Sequence, residues 1–230
     1  MPESIIRLRD ISKVYEEDIA ALCDVSLDVM EKDFVSIVGR SGSGKTTLIK
    51  LLIGEEKPTA GEIVINGWDL CNIKSRKIPY FRREIGVVFQ DFKLLQQKTV
   101  AENIAFALIV LGTPRQEIHK RVPGVLSLVG LSGKGTRFPN ELSGGEQQRV
   151  AIARAFVHEP KLLLADELTG DLDAIYAWEI MEILLKINKM GTTVLIATHD
   201  KSIVNRLQKR VVTLEDGTII RDHKKGRYVI

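Results

Sequence analysis

The sequence predicts an α/β fold with a mostly parallel core sheet, an antiparallel N-terminal β subdomain and a helical insertion. Three features predict it. Four short apolar runs, FVSIV (34–38), IGVVF (85–89), LLLAD (162–166) and TVLIA (193–197), do not alternate between apolar and polar positions, as expected of strands buried on both faces of a parallel sheet. Helical patterns at 44–53, 173–189 and 200–207 follow three of these runs directly or after a short loop, and repeated strand-then-helix order builds such sheets. The remaining stretches behave differently at each end of the first half of the chain.

The N-terminal third alternates more. IIRLRDI (5–11), AALCDVSLDV (20–29) and GEIVING (61–67), with turn residues between them, predict antiparallel strands. From about 91 to 158 the pattern is nearly all helical and contains no convincing strand. This predicts a helical subdomain inserted into one domain spanning 1–230. Pro123-Gly124 interrupts RQEIHKRVPGVLSLVGL (115–131), so that helix should break or kink near Val122.

At 230 residues the chain can bury one substantial core, or one core with a smaller appended subdomain. Its 27% charged and 44% hydrophobic residues are ordinary for a soluble globular protein. The net charge of +3 is small, and the clusters KSRK (74–77), FRR (81–83) and RDHKKGR (221–227) read as solvated faces. Nucleic acid is therefore not an expected partner. Cys23 and Cys71 match no metal-ligand spacing, which points to a reduced cytosolic compartment. The start MPESIIRLRD lacks the apolar stretch of a signal peptide. The longest apolar run, IAFALIVLG (104–112), is far short of the ~20 residues that span a bilayer. Any service to a membrane is expected to run through a partner.

GRSGSGKT (39–46) fits the phosphate-binding pattern G-x-x-x-x-G-K-[ST], between a strand pattern and a helix pattern as that motif requires. Glycines let the backbone wrap phosphates, and a helix start adds partial positive charge. Gly39, Arg40, Ser41, Gly42, Ser43, Gly44, Lys45, Thr46 and Thr47 are thus candidate nucleotide ligands. Lys45 would reach the β- and γ-phosphates of ATP, and the Thr46 hydroxyl would ligate Mg²⁺. LLLADE carries a buried strand to Asp166, placed to hold Mg²⁺ through water, and to Glu167, placed to act on an attacking water. Two carboxylates ending a strand mean little alone; after a phosphate loop they form a set.

A second glycine turn, LSGGEQQR (142–149), opens another helix pattern. Together with the two motifs above, it resembles the ATP-binding-cassette ATPases over essentially the whole chain. In that family two cassettes meet head to tail, and each nucleotide lies between the phosphate loop of one and the signature of the other. The resemblance implies that Ser143, Gly144, Gly145 and Glu146 contact the γ-phosphate held by a partner copy. It further implies that Tyr15 stacks on adenine, that Gln90 senses Mg²⁺ and the attacking water, and that His199 is the γ-phosphate switch. Gly170-Asp171-Leu172-Asp173 resembles the loop that crosses the dimer interface. The usual Pro-Thr-Gly-Asn-Leu-Asp-Pro is replaced by Leu168-Thr-Gly-Asp171-Leu-Asp173-Ala174, which restores an N–H at 168 and adds a carboxylate near the closing interface.

FRREIGVVFQDFKLLQQKTVAENIAFAL (81–108) and RFPNELSGGEQQRVAIARAFVHEPKLLLADE (137–167) resemble the FtsE-type cell-division branch of the family. That resemblance implies a membrane partner of the FtsX type and, beyond it, a peptidoglycan hydrolase or its activator, with the chain on the cytoplasmic face of the cell membrane. The lipoprotein-releasing and macrolide-exporting ATPases share much of the same vocabulary. A dimerising scaffold with negligible turnover is a further alternative. The family also seats a short helix of the membrane subunit beside the glutamine loop, so Phe92, Leu94 and Leu95 are expected apolar anchors.

Overall fold

The computed structural model describes residues 4–16, 19–168 and 173–226. The chain opens with strands β1 (Ser4–Val14) and β2 (Ala20–Met30), enters the core as β3 (Phe34–Val38) and turns into α1 (Lys45–Leu52). It then adds β4 (Ala60–Ile65) and β5 (Trp68–Asp69) before α2 (Ile78–Arg82) and β6 (Ile85–Val88). A helical stretch follows, α3 (Val100–Val110), α4 (Arg115–Leu128) and α5 (Gly144–Phe156). The chain closes with β7 (Leu162–Asp166), α6 (Ala174–Lys189), β8 (Thr193–Thr198), α7 (Lys201–Leu207), β9 (Arg210–Glu215) and β10 (Thr218–His223).

One sheet is antiparallel, in the order β2-β1-β4-β5; the other runs β10-β9-β3-β8-β7-β6 and is parallel except for β10. The lack of alternation in the core strands has a simple origin. Leu163, Ala165, Val194 and Ile196 pack into a cluster with residues of α3 to α7, whereas Leu162, Leu164, Leu195 and Ala197 pack toward α1 and the antiparallel sheet. Both faces are covered, so both sets of positions are apolar, and each fully buried aliphatic side chain contributes roughly 1.5–3 kcal/mol of transfer energy. Register matters more for the site. Val38 pairs with Thr198 and Thr213, Asp166 with Ala197, and Val88 with Ala165, so these strands end almost level.

The four apolar runs are core strands, with IGVVF ending one residue early at Val88, and no strand occurs between 91 and 158 among the described residues. The expected break at Pro123 is corrected. α4 runs unbroken from Arg115 to Leu128 with Pro123 in its interior. Proline removes one donor, leaving the carbonyl of His119 without its helical partner. His119, Pro123 and Gly124 are all exposed, while Val122 and Leu126 are buried. Water can satisfy the orphaned carbonyl, and the apolar stripe holds the helix in place. β9 and β10 were not anticipated as strands; β9 takes an inner position beside β3.

The helical stretch is fastened to the core where β6 meets α5. A β-carbon on Gly86 would lie 2.4 Å from the Ala155 carbonyl oxygen and 2.6 Å from Leu163 Cδ1, so strand and helix approach as closely as a side chain of hydrogen allows. Gly86→Ala is expected to lower unfolding stability by about 1–3 kcal/mol, the usual cost of overpacking. Urea denaturation checks this, and an unchanged midpoint would contradict the close approach.

Candidate functional site

The phosphate loop joins β3 to α1. Gly42 and Gly44 have φ of 80° and 102°, left-handed values at which a side chain is strained. A β-carbon on Gly39 would lie 2.2 Å from the Leu214 carbonyl oxygen, and one on Gly44 would lie 2.5 Å from that of Ala21. Ser43 N–H donates to the Arg40 carbonyl at 3.2 Å, and Gly217 N–H donates to the Ser43 carbonyl at 3.3 Å. The loop is thereby tied to the β9–β10 turn. Arg40, Ser41, Gly42 and Ser43 line a pocket with Thr213, Glu215 and Asp216. Lys45, only 4% exposed, donates from Nζ to the carbonyls of Gly39 at 3.0 Å and Arg40 at 2.9 Å. Burial pushes its pKa down, against the pull of Glu167 and Asp166. Thr46 is exposed and Thr47 half-buried on the first turn of α1.

Asp166 ends β7 beside this loop. Burial and then the neighbouring Glu167 carboxylate push its pKa up, opposed by the Thr46 side chain, Lys45 and Lys50. Its Oδ1 is buried without a hydrogen-bond partner, as is Ser43 Oγ. Glu167, at φ 45°, donates its N–H to the Ala197 carbonyl at 2.9 Å. Its Oε1 lies 3.3 Å from His199 Nδ1, across the ends of β7 and β8. Gln90, exposed just past β6, lines an open pocket with Phe89, Asp91 and Asp166.

Lys45, Thr46, Asp166, Glu167, His199 and Gln90 are therefore brought to one edge of the sheet. The orphaned Asp166 oxygen, a threonine hydroxyl and an amide are hard oxygen donors and fit Mg²⁺. Among the described residues no group of three or more His, Cys, Asp or Glu could hold a metal ion. Such an ion would be shared with phosphate oxygens, the usual manner for Mg²⁺. The glycine cradle, the loop amides and the unpartnered Ser43 hydroxyl suit the phosphates themselves.

The second glycine turn is not part of this cluster. Ser143 caps α5 by accepting from Glu146 N–H at 3.4 Å, while Glu146 accepts from Ser143 N–H at 3.0 Å. The other oxygen of Glu146 takes the Lys134 ammonium. Glu146 is thus engaged as a capping residue, and burden of contact falls on exposed Ser143 and Gly144, with Gly145 buried beside Tyr176. Among the described residues no hydrogen bond or ion pair joins these four to the phosphate loop. Tyr15 is half-buried, with Lys13 Nζ 4.8 Å from its ring centre, and does not line the pocket beside the loop. Gly170, Asp171 and Leu172 lie outside the described residues. Leu168 is buried at 5% exposure, and Asp173 caps α6, accepting from the N–H groups of Ile175 and Tyr176 at 3.0 and 3.1 Å. That cap opens the helix without a proline at 174.

Of the expected anchors after Gln90, Leu94 is corrected: it is buried at 8% exposure in the helical core. Phe92 is half-buried against the same cluster, and Leu95 is exposed. An apolar groove of about 430 Å³ lies instead between α2–β6 and α3–α5, lined by Arg83, Ile85, Phe106, Val110, Arg154 and His158 among others. Sequence reasoning also missed Asn103. This fully buried side chain accepts from Leu95 N–H at 2.8 Å and donates to the carbonyls of Leu95, Lys98 and Thr99, each at 3.0 Å. A polar residue inside the apolar run VAENIAFALIV was its only signal.

The ABC transporter family profile matches residues 22–170, and the chain belongs to that family; it is an ATP-hydrolysing cassette. It is 52% identical over 224 residues to the cell division ATP-binding protein FtsE of Bacillus subtilis, covering 97% of this chain and 98% of that one. It is also 52% identical over 225 residues to the FtsE protein of Streptococcus pneumoniae, covering 98% of each. Among solved structures it resembles the dimeric post-hydrolysis state of the ATP-binding cassette MJ0796 bound to ADP and Pi. There the TM-score is 0.87 and the identity 37%, over 97% of this chain and 100% of that one.

Asp166 supplies a prediction about stability. Its carboxyl holds a proton more readily folded than unfolded, so its charge opposes folding increasingly as pH rises above the unfolded carboxylate pKa of about 3.9. Asp166→Asn is expected to raise the nucleotide-free melting temperature at pH 7 by about 2–4 °C, as a ~1 kcal/mol change does in a domain of this size. The gain should shrink as pH falls toward 4, while ATP hydrolysis drops roughly 100-fold or more. Calorimetry across pH and a phosphate-release assay check both parts.

Proposed function

We propose that this chain is the ATPase of a cell-division complex of the FtsEX kind, working as a head-to-tail homodimer. In this reading it sits on the cytoplasmic face of the membrane, held there by an integral membrane subunit resembling FtsX. Through that subunit it acts on a peptidoglycan hydrolase or its activator. The near full-length similarity to FtsE proteins supports the branch. The single observation that carries the mechanism is the division of the phosphate-binding features between two places. One cluster gathers at the sheet edge, while Ser143 and Gly144 expose a helix start away from it, suited to the γ-phosphate bound by a second copy.

The chemistry follows from the residues. Lys45 exchanges its two loop carbonyls for β- and γ-phosphate oxygens, joined by the N–H groups of the 39–47 loop, and Tyr15 stacks on the adenine. A water molecule attacks the γ-phosphorus, its proton passes to Glu167, and the bond to the bridging oxygen of ADP breaks. His199, 3.3 Å from that carboxylate, orients it. Thr46, Asp166 and Gln90 would hold Mg²⁺, which when bound neutralises phosphate charge.

We read 1–230 as one ATP-binding domain with a helical subdomain over about 91–158, and the groove at their junction as the seat of the membrane subunit. Phe106, 43% exposed on the groove wall, takes the anchor role. Phe106→Ala is expected to leave ATP binding unchanged and to weaken capture by the membrane subunit by ~2 kcal/mol, about 30-fold. Titration of the subunit in nanodiscs measures this, and undiminished capture would remove the groove from the interface.

The shared site is tested by mixing Lys45→Ala and Ser143→Arg chains, each inactive alone. Half of the dimers in an equal mixture are mixed, and each of those has one intact site. Hydrolysis should therefore return to about a quarter of the wild-type rate. No recovery, with mixed dimers demonstrated by mass, would overturn the head-to-tail arrangement.

A further inference from the structure

Arg154 lies near the end of α5, between the buried Ala153 and Ala155 and two residues before the buried Phe156. Its guanidinium reaches the loop after β6. There Nη1 donates to the Lys93 carbonyl at 2.6 Å and Nη2 to the Phe92 carbonyl at 2.7 Å. Both residues are left-handed, Phe92 at φ 52° and Lys93 at φ 47°, a conformation that costs an L side chain roughly 1–2 kcal/mol. Two non-glycine residues in succession hold that shape only where something outside the turn grips it. Downstream, Leu94 is buried and Leu95 is bound by Asn103. The fork of Arg154 supplies the grip on the turn itself.

The grip is made by an unusual charge. Burial pushes the pKa of Arg154 down, with no carboxylate acting on it, and none of the ion pairs among the described residues includes it. A half-buried guanidinium without a counter-ion is poorly compensated for the water it loses. A planar guanidinium, however, presents its donors in a rigid fork that holds the two successive carbonyls in one fixed geometry. Gln90 stands two residues before the turn, beside Asp166. Among the described residues nothing hydrogen-bonds the Gln90 side chain, so its backbone alone positions it.

We propose that Arg154 is a positioning residue for hydrolysis, fixing the Phe92–Lys93 turn and through it the stance of Gln90 beside Asp166. The inference rests on the reading of Gln90 as part of the hydrolytic site. Because Arg154 also lines the apolar groove, whatever seats there touches the same guanidinium that sets the turn.

A double-mutant cycle with Gln90 tests this on the purified full chain. Arg154→Gln should leave the Kd for ATP within about twofold and KM little changed, while kcat per folded molecule falls about tenfold or more, the scale of a small misplacement at a reacting centre. Arg154→Lys, keeping charge but losing the fork, should fall between. In a Gln90→Ala background Arg154→Gln should change kcat less than about twofold, because the route is already cut. A full tenfold loss in that background, or unchanged kcat in the wild-type background, would overturn the proposal. If Arg154→Gln does not fold, Arg154→Lys carries the same cycle. A Gln90→Ala protein with wild-type turnover would overturn the reading of Gln90, and the proposal with it.

Discussion

Because β9, β3, β8, β7 and β6 run parallel and nearly in register, every loop that leaves their C-terminal ends emerges at one edge. That constraint collects a lysine, a carboxylate pair, a histidine and a glutamine from positions 45 to 199 without any of them being near in sequence. The antiparallel sheet and α1 seal one face around the phosphate loop, and the helices seal the other. The edge itself stays open for a nucleotide.

Three charges at or behind this edge are buried or half-buried, each held by a different device. Lys45 is held by two main-chain carbonyls of its own loop. Asp166 keeps one oxygen unpartnered, beside a second carboxylate. Arg154 holds a strained turn from inside a groove. In all three, burial disfavours the charged form, and proteins tolerate such groups mainly where chemistry needs them. The apolar clusters on the two faces of the sheet offset them.

Much of this was legible in the sequence, for physical reasons that differ by residue. Gly39, Gly42 and Gly44 announce a loop because only glycine fits the approaches and angles found there. Two-sided burial announces the core strands through unbroken apolar runs. β9 escaped because RVVTLE is short and bounded by charge, so nothing local marks it as an inner strand. Pro123 misled because the penalty of its missing donor depends on solvent access, which only the packed helix reveals. Leu94 misled for the opposite reason. Apolar residues beside a functional loop look alike whether they face a partner or a core, and here Leu94, just after the left-handed turn, packs inward. Arg154 was hidden by its own motif, where an arginine reads as part of a helix face rather than as a grip on a distant loop.

The self-satisfied state of Lys45 has a consequence for the rhythm of the enzyme. Two of the three N–H groups of its ammonium already donate to Gly39 and Arg40, so an arriving phosphate competes with existing bonds and meets only one uncommitted donor. The attraction for nucleotide is then a difference between two good arrangements, not the full strength of either. Such a loop is shaped before its guest arrives and content after it leaves.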